Sequence, residues 1–157
     1  MTPLFKKLNL GSNETVLVIN APESFESELS LLSGIEMLRK PSRKTRARFA
    51  IGFAVKQAEL DRVSAALASS TDGDAIVWVA YPKGTSKKYK CEFNRDHGWS
   101  VLGDAGFEPV RQVAIDDDWS ALRFRRTQYI GSMTRKSGMA ISKLGKRRTR
   151  RRTVSDE

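Results

Sequence analysis

Three apolar runs set the frame of this chain. Thr15-Val16-Leu17-Val18-Ile19-Asn20, Phe49-Ala50-Ile51-Gly52-Phe53-Ala54-Val55 and Ala75-Ile76-Val77-Trp78-Val79-Ala80-Tyr81 are short, β-branched or aromatic, and not alternating. That pattern predicts strands buried on both faces, as in a parallel sheet. Between them the period changes to that of a helix. Phe25, Leu29 and Leu32 fall on one face after Ala21-Pro22-Glu23, and Gly34 supplies a stop. Leu60, Val63 and Leu67 fall on one face of a helix expected over 57–69, and Ile35 to Leu38 reads as a short strand. Thr71-Asp72-Gly73-Asp74 reads as a turn. Asn94 is placed to cap a helix carrying Trp99 and Leu102 inward and stopping near Gly106. Val110 to Ile115 and Ser120 to Arg125, parted by Asp116-Asp117-Asp118-Trp119, predict a hairpin. A weak helix is expected within Tyr129 to Leu144 and disorder beyond it.

Strands alternating with helices imply the α/β class, with a mostly parallel sheet closed by a C-terminal antiparallel hairpin. The expected organisation is one α/β domain over 1–131 and a basic, largely disordered tail over 132–157. A chain of 157 residues has room for such a core without disulfide or metal support. The lone Cys91 excludes an intramolecular disulfide and a cysteine-cluster metal site. No apolar run is long enough to span a membrane, and Met1 to Leu10 lacks the apolar stretch of a signal peptide. A reducing, cytoplasmic location is therefore the expectation.

Charge adds the one anomaly. The formal net charge is +10, and it is concentrated. Nine of the 28 Lys and Arg residues lie in 135–157, against two of the 18 acids. Six more (Arg39, Lys40, Arg43, Lys44, Arg46 and Arg48) lie within ten residues. Arg43, Lys44, Arg46, Lys146, Arg147, Arg148, Arg150, Arg151 and Arg152 are thus candidate contacts to a polyanion, either nucleic acid or an acidic protein. Such a tail releases counterions from phosphates and gives salt-sensitive, sequence-independent affinity. A solvated tail without a partner is the bland alternative. The tail has no aromatic residue beyond Tyr129, which argues against specific single-strand readout.

Ligands of open α/β sheets bind beyond the carboxyl ends of the strands, near the reversal of strand order. Three candidate loops meet there, Asn20 to Glu23, Lys83 to Lys88 and the region after Val55, and Lys83 to Lys88 is the best candidate for an anion. In the second, Gly84 gives backbone freedom, Thr85 and Ser86 give hydroxyls, and Lys83, Lys87 and Lys88 give charge. The spacing is not that of a P-loop, and a solvated turn has the same composition. Glu23 is a conceivable base, although a glutamate in a first helical turn commonly serves only the helix dipole. Three consecutive aspartates cannot converge on one cation, so Asp116 to Asp118 reads as a turn, with Trp119 packed at the hairpin base. His97 has no partner of telling spacing. The lysines beside Cys91 would lower its pKa if they acted on it, but no second cysteine supports redox work. Neither a cofactor nor a metal is called for.

Ala105-Gly106-Phe107-Glu108-Pro109-Val110 and the strand Ser120 to Arg125 resemble the end of a class I, Rossmann-like methyltransferase. In that family a helix ends in Ala-Gly-Phe before a closing antiparallel pair. The resemblance spans roughly residues 14 to 126 and is mainly structural. It implies a Rossmann-like fold and, in the family, S-adenosylmethionine beside a Gly-rich turn after the first strand. Here that turn is Asn20-Ala21-Pro22-Glu23, and Arg39 and Lys40 stand where the family holds the ribose with an acid. The Asn-Ala-Pro-Glu turn, the segment Tyr81-Pro82-Lys83-Gly84-Thr85-Ser86-Lys87, and Asp118-Trp119-Ser120-Ala121-Leu122-Arg123 are also similar to a bacterial family of small Rossmann-like proteins of no assigned function.

Together these features point to a non-catalytic binding or adaptor protein. It would have a degenerate methyltransferase-like body and a basic tail for polyanions. Two alternatives stay open. One is a divergent enzyme taking S-adenosylmethionine or a phosphorylated small molecule at the carboxyl ends of the strands. The other is an interaction domain that assembles through a sheet edge.

Overall fold

The computed structural model describes residues 2–131, and the nine tail residues counted above lie outside them. The order is α1 (Pro3–Lys7), β1 (Thr15–Ile19), α2 (Glu23–Leu29), β2 (Glu36–Leu38), β3 (Ala47–Phe53), α3 (Gln57–Ser69), β4 (Thr71–Pro82), α4 (Ser100–Asp104), β5 (Phe107–Ala114), β6 (Trp119–Arg126) and a 3-10 turn (Thr127–Tyr129). The six strands form one sheet in the order β2-β1-β3-β4-β6-β5. The pairs β1–β2, β1–β3 and β3–β4 are parallel. The pairs β4–β6 and β5–β6 are antiparallel. Order reverses at β1, whose two neighbours are β2 and β3, so the switch point lies between β1 and β3.

The apolar runs are unbroken because each central strand is covered on both faces. Leu17, Ala50, Val77 and Val79 meet Leu60, Val63 and Leu67 of α3 and Leu102 of α4 on one face. Val16, Val18, Ile51 and Trp78 meet Phe5 of α1 and Phe25 and Leu29 of α2 on the other. Gly52 lets α3 approach closely. A Cβ there would lie 2.3 Å from Val63 Cγ1.

Three local expectations are corrected. The segment Thr71 to Asp74 is not a turn before the strand but part of β4. Between Ala47↔Thr71 and Phe49↔Ile76, β4 carries three extra residues, and Gly73 takes φ +60° to accommodate them. Asn94 caps no helix. Its Oδ1 accepts from the backbone N–H of Asp96 and His97, closing a local turn, and α4 starts only at Ser100. The N-terminal ten residues, read only for targeting, form α1. Thr2 Oγ1 accepts from the Phe5 N–H, and the Trp78 indole donates to the Leu8 carbonyl at 2.8 Å. Of the helix expected within Tyr129 to Leu144, only residues 129–131 are described; Tyr129 ends the 3-10 turn, and the rest of that expectation lies outside the described residues.

The connection 39–46 carries no helix, although it passes from β2 to β3 across β1. It returns the chain to the N-terminal end of the parallel strands. There the Ala47 N–H donates to the Ser70 carbonyl, and Arg46 Nη1 contacts the Ser69 carbonyl. β6 runs back to the same end, where Arg126 donates to the carbonyls of Thr71 and Gly73. Arg46, which closes the basic connection, and the chain leaving β6 at Arg126 therefore share one end of the sheet, whereas Arg39 stays at the other beside Glu26. No helix among the described residues is long and apolar enough to cross a membrane.

Candidate functional site

The switch point brings Asn20 to the end of β1, beside the end of β3. Asn20 sits at φ +62°, a region that asparagine tolerates better than most residues. Its Nδ2 donates to the Phe53 carbonyl at 3.0 Å and to Glu59 Oε2 at 3.3 Å. Glu59 Oε1 accepts from the N–H groups of Val55 and Lys56, just beyond β3. These contacts, the Lys56 N–H first, hold the Glu59 carboxyl below its usual range despite partial burial. The next donor, Gln57 N–H at the start of α3, goes to Glu92 Oε1. The backbone donors of Val55, Lys56 and Gln57 are thus taken by the chain's own carboxylates.

Glu23 occupies the first turn of α2 and is exposed; Pro22, which precedes it, offers no N–H. At the end of β2, Arg39 forms a two-pronged pair with Glu26, with Nη2 at 2.9 Å from Oε2. A nucleoside cofactor at this crevice needs close backbone approach and a free carboxylate for its ribose. The residues present do not fit S-adenosylmethionine: the turn has no glycine, Pro22 in it offers no N–H, and the Arg39 guanidinium stands where the family places an acid.

The Lys83 to Lys88 loop lies elsewhere, at the end of β4. Lys83 to Lys87 line a cleft of about 940 Å3 with Tyr81, Tyr89, Phe93, Arg95 and Gln112 among its other walls. Asn20 and Glu23 are not among its lining residues, so the two expected loops do not build one pocket. The loop is pinned. The Lys83 N–H donates to the Asp118 carbonyl at 2.8 Å, and Ser86 Oγ donates to Asp118 Oδ1 at 2.8 Å while accepting from the N–H of Lys88 and of Tyr89. Ser86 therefore shapes the loop rather than offering a free hydroxyl. Gly84 does not take a positive φ, and a Cβ there meets open space, so its backbone freedom is not used. Thr85 is exposed.

Two wall residues escaped the sequence reading. Tyr81 packs against Phe93 and Trp99, is almost wholly buried, and accepts at its phenol oxygen from Gln112 Nε2 at 3.1 Å. Gln112 Oε1 in turn accepts from Arg95 Nη1 at 3.3 Å. Gln112 comes from β5, and only the β5–β6–β4 register brings it beside Tyr81. No local pattern announces that meeting. Burial raises the Tyr81 phenol above its ordinary value and keeps it a donor.

Cys91 also lines this cleft, and burial, not the flanking lysines, decides its state. Desolvation pushes the thiol up, which corrects the expectation of lysine activation. Asp116 Oδ1 accepts from the N–H of Asp118 and Trp119, as a turn requires. Trp119 is buried at the hairpin base, edge-on to Phe53. No cluster of three or more His, Cys, Asp or Glu suited to a metal ion occurs among the described residues.

At the opposite end of the sheet, Arg43 and Lys44 are exposed. Arg46 is partly committed, with Nε 3.1 Å from Asp72 Oδ2 and Nη1 on the carbonyls of Arg43 and Thr45. The seven strand residues of β3 put this basic loop about 20 Å from the Lys83 cleft. The two basic features are separate. Lys146, Arg147, Arg148, Arg150, Arg151 and Arg152 lie outside the described residues.

No family model matches this chain, and no curated protein does. Solved structures do. The N-methyltransferase NodS from Bradyrhizobium japonicum WM9 aligns with a TM-score of 0.51 at 12% identity, covering 78% of this chain and 92% of that one. Its complex with S-adenosyl-L-homocysteine aligns at 0.51 and 11% identity, covering 80% and 89%. A SAM-dependent methyltransferase from Aquifex aeolicus aligns at 0.52 and 14% identity, covering 79% and 88%. The fold is that of a Rossmann-like methyltransferase, with six strands, mostly parallel, and the antiparallel β4–β6–β5 part. At such identities the likeness extends to the fold alone.

Proposed function

We propose that this chain is a non-catalytic binding protein that uses a methyltransferase-like frame to hold a polyanion, of which nucleic acid is the favoured case. The observation that carries this reading is the convergence at the N-terminal end of the parallel strands. The exposed Arg43 and Lys44, next to Arg46, and the chain leaving β6 at Arg126 share that end. Exposed basic side chains at that end raise the local potential for a polyanion. The crevice closed by Asn20, Phe53 and Glu59 speaks against the alternative of S-adenosylmethionine chemistry.

Fluorescence anisotropy with labelled duplex DNA and RNA tests it. The intact chain is compared with a full-length variant bearing Ser at positions 147, 148, 150, 151 and 152, at about 50 and 200 mM salt. Binding that falls steeply with salt and weakens strongly in the variant is expected. Equal or absent binding by both proteins refutes the reading.

A further inference from the structure

We infer that the cleft at the end of β4 is a second, independent site, which takes a small molecule carrying two or more phosphates. The cleft wall presents Lys83, Lys87, Lys88, Lys90 and Arg95 and no carboxylate. None of the four ammonium groups is ion-paired among the described residues; Lys88 lies over the Tyr89 ring, 5.6 Å from its centroid. Arg95 lies near Asp96, but at 3.7 Å and in the open. Asp118, which holds the loop by accepting from Ser86 at Oδ1, is not among the wall residues. Five cations along one cleft, four of them exposed, make its wall strongly positive, and a ligand of matching charge neutralises them together. A single phosphate cannot engage them all, whereas a di- or triphosphate can. A volume of about 940 Å3 has room for it together with an organic moiety.

The floor supplies selectivity. Gln112 is oriented from both sides: its Oε1 accepts from Arg95, and its Nε2 donates to Tyr81. The Tyr81 oxygen therefore already has a donor, and its own hydrogen is left for an acceptor such as a phosphate oxygen. The site is also stiff enough to be preformed. Ser86 ties the loop to Asp118, and the Glu92 N–H ties the far side to the Val55 carbonyl at 3.0 Å. This site lies about 20 Å from the Arg43 region, so neither proposal depends on the other.

Isothermal titration of the full-length chain with the tail Ser substitutions removes five of the nine tail cations as competing anion binders. The probes are orthophosphate, tripolyphosphate, adenosine triphosphate and adenosine. Tripolyphosphate and adenosine triphosphate are expected to bind at one site per chain and orthophosphate at least about tenfold more weakly, with adenosine silent. Tighter binding of adenosine triphosphate than of tripolyphosphate would identify a nucleotide, and equal binding a polyphosphate of another kind; both support the site. Lys83→Gln with Lys87→Gln should weaken binding by about tenfold or more, and Tyr81→Phe by about fivefold, without loss of folding. Arg43→Gln with Lys44→Gln should leave it unchanged. The inference is overturned if no polyphosphate binds saturably, if the Lys83 and Lys87 changes have no effect, or if the Arg43 and Lys44 changes weaken binding as much.

Discussion

Asn20 and Glu59 meet across the switch point, with Nδ2 3.3 Å from Oε2, and the same Nδ2 holds the Phe53 carbonyl at 3.0 Å. One side chain thus links the end of β1 to the end of β3 and to the first turn of α3. Asn20→Ala would remove that amide and place an alanine at φ +62°. A loss of about 2–3 kcal/mol is expected from the hydrogen bonds and the left-handed backbone together. Asn20→Gly removes the amide but tolerates the backbone, so its loss should be nearer 1 kcal/mol. Urea unfolding of both variants checks the difference; equal losses would mean that the backbone conformation carries nothing.

Gly52 makes a sharper test of the core. The Cβ of an alanine there would lie 2.3 Å from Val63 Cγ1, so α3 must shift or Val63 must give. Gly52→Ala should cost about 1–3 kcal/mol. Val63→Ala alone should also destabilise, by opening space. Combined, the two should cost less than their sum, because the cavity of one receives the methyl of the other. Strict additivity in a double-mutant cycle would show that the crowding is not between these two residues.

Stability should fall on the acid side for an identifiable reason. The bidentate pair with Arg125, Nη2 at 2.7 Å from Asp74 Oδ2, holds the Asp74 carboxyl below its ordinary value. Glu59 is lowered by the backbone N–H groups it accepts. A carboxylate whose pKa is lower folded than unfolded contributes fully above its unfolded value, near pH 4, and loses that contribution as pH falls through the folded value. Unfolding midpoints measured from pH 6 down to pH 2 should therefore drop, and the drop should flatten in Asp74→Asn and Glu59→Gln. An unchanged slope in both variants would assign acid unfolding to other groups.

The three apolar runs were legible because burial on both faces leaves no alternation, and α3 lies where its spacing placed it. The Lys83 loop was legible as charge and hydroxyls, and the cleft is indeed lined by it. What could not be read is what depends on register across the sheet. Gln112 reaches Tyr81 only through β6, and Ser86 finds Asp118 from 32 positions away. Length hid α1, since five residues give too short a period, and its stability comes from Phe5 in the core and the Leu8 carbonyl under Trp78. The next residue after Lys87 and Lys88 in that series, Lys90, carries a signal that was available: the Lys-Lys-Tyr-Lys run continues the charge into the same wall.

Arginines at the basic end of the sheet should divide cleanly into those that hold the fold and those that hold a ligand. Arg126 belongs to the first kind. It donates to the carbonyls of Thr71, Gly73 and Ala68, and its guanidinium lies 4.6 Å from the centre of the Phe107 ring. Those bonds satisfy the bulged start of β4 and commit the guanidinium's donors, so it is poorly placed to meet a phosphate. Arg126→Ala should cost about 2–4 kcal/mol by leaving carbonyls unpaired. Arg43, with its neighbour Lys44, is proposed to be of the second kind. Arg43→Ala and Lys44→Ala should shift the unfolding midpoint by no more than about 0.5 kcal/mol, since their side chains are exposed. In the DNA titration each should lower the slope of log affinity against log salt by up to about one, the value for one phosphate contact. Paired melting curves and salt titrations of the three variants decide it. Loss of stability without loss of salt slope at Arg43 and Lys44 would move the polyanion contact away from this loop and leave the tail alone to carry it.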